Sequence, residues 1–287
     1  MTLLLLALFA AFSAPCHLCL VQPDNMAFDA AGNVYLLDTN QASQSRILKL
    51  SPDGTVLADW RGFKSAVGIA LDPEGDVYVT DGGRAQILEL SRHGKLLRAF
   101  GHLAGGFQGP AHLAVDRHGD VYLSVAERNL IEKFSPDGTL IASWHRHKGS
   151  GRDQWNQPQT ISVTPDGSLT LDDWGNDRVE TLSLAGKTLL IFRAIGRPAS
   201  KLGNSSGTCV GPNGVVYAAD YDHGLVQEFD AHSRRLRTIG NIGGGKLFQT
   251  LPGPYSLAVD GHNDLYSADG HTVVKYSPAG RLLARWN

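Results

Sequence analysis

The residues of this chain whose types could do chemistry beyond packing include six histidines in turn-rich or channel-facing segments. His112 lies in the apolar segment AHLAV, where an imidazole can hold a ligand or move a proton near neutral pH. His102, His145, His147, His223 and His271 sit in polar, turn-rich segments, as do Arg128, Arg146, Lys148, Arg152, Asp153, Trp155, Trp174, Tyr221, Asp222 and Tyr255. HRHK (145–148) is the densest basic run, and such runs are commonly just solvated loops. Cys16 and Cys19 form a C-x-x-C pair. No second pair completes a zinc site and no βαβ pattern supports a redox role, which leaves an incidental pair near a processed N-terminus as the plainer reading. There is no G-x-S-x-G elbow, no H-E-x-x-H and no G-x-x-x-x-G-K-[ST] loop. GNIGGGK (240–246) lies between strand-like runs and opens no helix, so it reads as a linker rather than a phosphate loop.

The elements that must position these residues repeat. An apolar stretch, a Gly-containing turn, a V-Y-type strand and a closing Asp recur six times: AGNVYLLD (31–38), EGDVYVTD (74–81), HGDVYLSV (118–125), DGSLTLDD (166–173), NGVVYAAD (213–220) and HNDLYSAD (262–269). The closing positions are Asp38, Asp81, Val125, Asp173, Asp220 and Asp269, about 43 to 49 residues apart. A period of that length built only from strand signals predicts propeller blades, not helical repeats. Each unit carries four strand signals. In the second they are VGIALD (67–72), DVYVTD (76–81), AQILEL (85–90) and KLLRAF (95–100). SPDGT (51–55 and 135–139) and SPAGR (277–281) have turn chemistry, with Pro setting φ and Gly accepting positive φ. The expected fold is all-β, a six-bladed β-propeller of four-stranded antiparallel blades at roughly 22–60, 65–100, 109–145, 157–193, 205–240 and 253–287.

The pattern P-x-x-[IL]-A-[VL]-D, then G-[DN]-V-Y-[VL], then [RV]-[IV]-x-x-[FL]-S-x-x-G resembles the NHL repeat. GPAHLAVDRHGDVYLSVAERNLIEKFSPDGTLIASW (109–144) is the fullest copy, and the resemblance covers nearly everything after residue 21. It implies a closed six-bladed ring and leaves function open, since such propellers include sensors, RNA and protein binders and a few lyases. The peptidyl-hydroxyglycine lyases among them hold zinc with histidines at P-H-x-[IL]. Here Ala111, Tyr255 and Gln159 occupy that place in P-A-H-L, P-Y-S-L and P-Q-T-I, and His112 comes one position late.

In a propeller the first strand of each blade lines the central channel, and strand residues alternate faces. Aligning these strands gives one small or polar column, Asn25, Gly68, His112, Thr160, Thr208 and Ser256. A second holds Ala27, Ala70, Ala114, Ser162, Val210 and Ala258. The apolar column between them, Met26, Ile69, Leu113, Ile161, Cys209 and Leu257, is expected to pack between blades, which makes Cys209 a small buried hydrophobe. The candidate ligand-binding residues at the channel mouth are His112, Asn25, Thr160, Thr208, Ser256, Tyr255 and Gln159. On the face of the longer loops they are Arg128, His145, His147, Trp155, Trp174, Tyr221, His223 and His271. The repeating Asp column reads as structural, with Arg178 a partner of such an acid.

Three functions stay open. One is a binding module for a protein, peptide, glycan or small molecule. The second is a propeller enzyme, a metal-dependent lyase or hydrolase that would need a calcium or zinc ion in the channel. The third is an RNA- or protein-interaction domain that is not exported. The 26 Lys+Arg against 28 Asp+Glu give a net charge of −2, which argues against a generic nucleic-acid binder. A monomer is expected. Residues 1–20 begin with MTLLLLALFAAFSA, shorter than the ~20 apolar residues of a membrane span and suited to a signal peptide. No Lys or Arg precedes that run, the first being Arg46. A secreted or periplasmic location follows as the expectation.

Overall fold

The computed structural model describes residues 18, 20–40, 42–101, 111–192, 205–220, 224–240, 256–269 and 271–287. The apolar run 1–14, Cys16, Cys19, His102, Tyr221, Asp222, His223 and Tyr255 lie outside them. Twenty-four strands form six four-stranded antiparallel sheets, each from consecutive strands in sequence order. The blades span 23–64, 66–100, 111–145, 158–192, 205–240 and 256–286. Their first strands, Pro23–Phe28, Ala66–Leu71, Ala111–Val115, Pro158–Val163, Ser205–Val210 and Ser256–Val259, neighbour one another in a closed ring around the hub. The only helical turns among the described residues are Ala126–Arg128 and Trp174–Asn176, one in each loop after the second strand of blades 3 and 4.

The seams between blades are where the core sits. On the second strand of five blades the V-Y tyrosine points at the next blade and is buried: Tyr35, Tyr78, Tyr122, Tyr217 and Tyr266. Four of them donate from the hydroxyl to an aspartate in their own blade's first turn, Tyr122 to Asp116 at 3.1 Å and Tyr266 to Asp260 at 3.2 Å being the shortest. The ring bodies thus fill apolar space while the polar tips stay satisfied. An aromatic residue of the fourth strand lies beside each of four of these tyrosines, as Trp60 does beside Tyr35 and Trp144 beside Tyr122.

These outer aromatics also cover the last turn of the following blade. Trp60 lies over Gly94, where a Cβ would meet the indole at 2.5 Å, and Gly94 has φ +80°. Glycine is required there twice, for the left-handed backbone and for the approach of the ring. The same contact closes the circle, with Trp286 of blade 6 lying over Gly54 of blade 1. Met26, Val34 and Leu36 of blade 1 share a core cluster with Tyr266, Val273 and Trp286 of blade 6. No strand is exchanged between these two blades. Leu18 and Leu20 enter the same cluster, and the Leu18 N–H donates to the Asn287 carbonyl at 3.2 Å.

Two members of the recurring Asp column, Asp38 and Asp173, hold the fold together. Asp38 accepts from the backbone N–H groups of Val21 and Gln22 at 2.9 and 2.8 Å and from Arg46. Asp173 accepts from the Asn156 N–H at 2.7 Å and from Arg178 Nε at 2.9 Å. Each ties the chain entering a blade to that blade's second strand. Gly94→Ala should lower the unfolding free energy by about 2–4 kcal/mol, combining positive-φ strain with overpacking, as read from urea melts.

Candidate functional site

The hub is formed by the exposed edges of the six first strands. Large side chains cannot crowd such an axis, and this dictates the small residues there. Gly68 shows the limit: a Cβ on it would come within 3.0 Å of the Ala111 carbonyl and of His112 Cα. Glycine therefore lets the third blade's first strand close against the second blade. Thr80 fixes that approach, accepting from the Gly68 N–H and donating to the Ala111 carbonyl, both at 2.7 Å. Ser124 repeats the device one seam on, donating to the Pro158 carbonyl at 2.8 Å. His112 is held by this clamped strand, and its ring is buried.

Asn25 and His112 meet across the hub, Asn25 Nδ2 lying 2.9 Å from His112 Nδ1. The amide donates, so Nδ1 must be the acceptor and the ring's own proton sits on Nε2. Burial pushes the His112 pKa down to about 4, so the imidazole is neutral at physiological pH. Thr160 and Thr208 link the next two strands, the Thr208 N–H donating to Thr160 Oγ1 at 3.0 Å. Asn25, His112, Thr160, Thr208 and Ser256 all line a hub cavity of about 550 Å³. It runs from this polar ring past the alanine column to the first turns of the blades at Asp29, Asp116, Thr164, Pro212 and Asp260. The described cavity therefore opens on the face of the short turns. Segments 102–110, 193–204 and 241–255 of the long-loop face lie outside the described residues.

The apolar column packs between blades as expected, Met26, Ile69, Leu113, Ile161, Cys209 and Leu257 all being buried members of seam clusters. Gln159 is half-buried and is not part of the cavity wall. Asp24, half-buried one residue before Asn25, has its carboxyl pushed up to about 6 by burial. It shares the column of Gln159 and Tyr255, but a single acid among dissimilar residues gave no repeat signal.

On the loop face, His145 and His147 are exposed and meet edge to face with ring centroids 6.2 Å apart. His271 is exposed and bonds through Nδ1 to the Val21 carbonyl. Arg128 and Trp174 are half-buried, one in each short helical turn. Trp155 departs from expectation: it is wholly buried and offers no ligand surface. The linker 145–157 folds back on itself, with the Trp155 N–H donating to the His147 carbonyl at 3.2 Å. The Arg146 guanidinium then covers the indole at 4.2 Å and donates to Thr188 Oγ1 at 2.8 Å. Arg178 pins the same linker through the carbonyls of Ser150, Gly151 and Gln154 at 2.7–2.9 Å. Arg146, expected as part of a basic run, is thus a structural residue. Among the described residues no three His, Cys, Asp or Glu side chains converge to hold a metal ion.

No protein-family model matches the chain, and no curated protein matches it. Solved structures do. A streptogramin B lyase superposes with TM-score 0.67 at 14% identity, covering 94% of this chain and 84% of that one. Virginiamycin B lyase from Staphylococcus aureus gives 0.65 at 13%, covering 93% and 84%. A catalytically inactive variant of the latter with quinupristin gives 0.66 at 14%, covering 91% and 83%. At such identities the likeness establishes the six-bladed propeller and nothing finer.

His112 titrates near 6.5 when unfolded but near 4 when folded. Between those values the unfolded chain holds the extra proton, so the His112 contribution to stability falls as pH drops. Asp24 acts oppositely, since its folded pKa is raised and its contribution falls as pH rises through about 4–6. Subtracting a variant isolates the histidine. The stability of wild type minus that of His112→Gln should be greater at about pH 7.5 than at about pH 4.5, by on the order of 2 kcal/mol in urea titrations.

Proposed function

We propose that this chain is an exported propeller of NHL type that acts as a binding module, taking a peptide, glycan or small-molecule ligand at its hub. The observation that carries this reading is the 550 Å³ cavity whose inner end holds a neutral imidazole. That volume is in the range of small-ligand sites. His112 Nδ1 is engaged by Asn25, which leaves Nε2–H as a donor toward a ligand acceptor. Thr160, Thr208 and Ser256 add hydroxyls around the same ring, and the alanine column supplies apolar wall. A few convergent polar groups on an apolar wall orient a ligand without any reaction.

A lyase is the second reading. It is favoured by one observation: the neighbours that overlay nearly the whole chain carry lyase names. Against it, a base at this position would have to break the Asn25 bond before Nδ1 could take a proton. A hydrogen-bond donor role asks for no such rearrangement. Export belongs to the proposal through the apolar run Met1–Ala14, and removal of that run would leave Leu18 and Leu20 to pack at the closing seam. A reporter fused to residues 1–20 tests that part, and retention of the reporter in the cytoplasm would favour the unexported interaction domain.

The purified chain should be screened on peptide and glycan arrays, with quinupristin as the lyase probe. Binding of a retained ligand should weaken about tenfold or more in His112→Ala and in Asn25→Ala, through the lost bond and the orphaned partner. Quinupristin should pass through unchanged by liquid chromatography. Its conversion by wild type but not by His112→Ala would replace the binding reading with the lyase one.

A further inference from the structure

The seam between blades 4 and 5 breaks a rule that the other seams keep. In the paired register of the second and third strands, three blades place an Asp–Tyr–Lys set: Asp29, Tyr35 and Lys49; Asp116, Tyr122 and Lys133; Asp260, Tyr266 and Lys275. Blades 2 and 5 keep the tyrosine and pair it with Glu89 and Glu228. Blade 4 has Thr164, Thr170 and Thr181 at these positions, Thr170 standing directly opposite Thr181. The ring that fills every other seam is missing from this one.

A cleft lies at this seam beside the missing ring, bounded by Thr181 opposite Thr170 and by Ser168 two residues before it, with Thr170 itself behind its wall. Its volume is about 260 Å³, and its walls include Thr164, Thr181, Phe192, Val216 and Ala231. Phe192 is the fourth-strand aromatic of blade 4, the counterpart of Trp60 and Trp144, which lie beside the tyrosines of their own blades. It has no tyrosine beside it in blade 4, and it meets Phe229 of blade 5 edge to face at 5.8 Å, as Phe100 of blade 2 meets Phe134 of blade 3 at 5.5 Å. The cleft joins the mouth of the hub cavity, since Thr164, Pro165 and Pro212 line both. Thr170 is fully buried on the face of its strand that carries Ser168, which lines the cleft, and its hydroxyl has no hydrogen-bond partner. Gln227 Oε1, on the blade 5 side of the same seam, is also buried without one. Buried polar atoms left unsatisfied are rare and costly, and two of them face this seam.

We infer that the blade 4–5 seam is a binding slot for a phenol, the para-hydroxyphenyl group of a ligand or of a tyrosine-bearing peptide. Five sister blades define the shape of the occupant, because each fills the equivalent space with a tyrosine ring. The volume exceeds the ~150 Å³ in which an engineered protein cavity holds benzene. The hydroxyl would enter at the Thr164 end, as the Tyr122 hydroxyl reaches Asp116 in its own blade. The slot stands apart from the Asn25–His112 pair, so it does not depend on the hub reading.

The probe is p-cresol, followed by amide NMR shifts of the whole chain. Saturable shifts centred on Thr181 and Val216 are expected, with a dissociation constant on the order of 1 mM, as suits so small a ligand. Toluene, lacking the hydroxyl, should bind about tenfold more weakly. Thr170→Tyr should refill the slot, raise the melting temperature by a few degrees and weaken p-cresol at least about tenfold. Should that variant not fold, Ala231→Trp at the exposed rim is to have the same blocking effect. Absence of saturation by about 20 mM p-cresol, shifts confined to the hub, or unchanged binding in a folded blocked variant would overturn the assignment.

Discussion

A propeller ring closes only when every blade fits both neighbours, and at four of the six seams that fit rests on one repeated contact. The second-strand tyrosine and the fourth-strand aromatic of a blade pack against the next blade, the outer ring settling on a glycine of its last turn. Each such ring removes a large apolar area from water, worth about 1.5–3 kcal/mol of transfer free energy. Because the ring is closed, an angular error at one seam must be absorbed by the other five. The seams therefore set the geometry of the hub before any hub residue is considered.

The hub inherits that geometry as a constraint on size. With six strand edges facing one axis, side chains there are small, and the polar ones bond laterally between blades. Thr80 and Ser124 lie behind the hub wall and bind carbonyls of the following blade. His112 is the one large ring in the polar column, and it fits because Gly68 beside it has no side chain. Its neutrality follows from the same closeness: a charge in this site would lose its water with no acid in contact to compensate.

The repeat made the architecture legible, because six copies of the V-Y strand and its turns left little freedom in strand order. The small and apolar columns of the first strands were readable for the same reason. Trp155 was misread because its segment looks like a polar linker. Only the fold-back that brings Arg146 over the indole removes it from the surface. Asp24 could not be found by comparing copies, since its column holds Val67, Ala111, Gln159, Gly207 and Tyr255 with no shared chemistry. The absent tyrosine of blade 4 was in plain view in DGSLTLDD. Its meaning depends on cross-strand register, which joins Thr170 to Thr181 and leaves the neighbouring blade without the tyrosine that the other seams carry.

The closing seam has a consequence for how the molecule is made. Blade 6 is the last of the six in sequence, and it supplies Trp286 and Tyr266 to a cluster whose other half is Met26, Val34 and Leu36. During synthesis, blade 1 must therefore wait with that face bare until blade 6 has left the exit tunnel. Through that interval the hub is an open arc with no cavity. The Leu18–Asn287 bond joins a residue ahead of blade 1 to one that follows blade 6. Any premature stop within blade 6 would thus deliver five complete sheets and no closed hub.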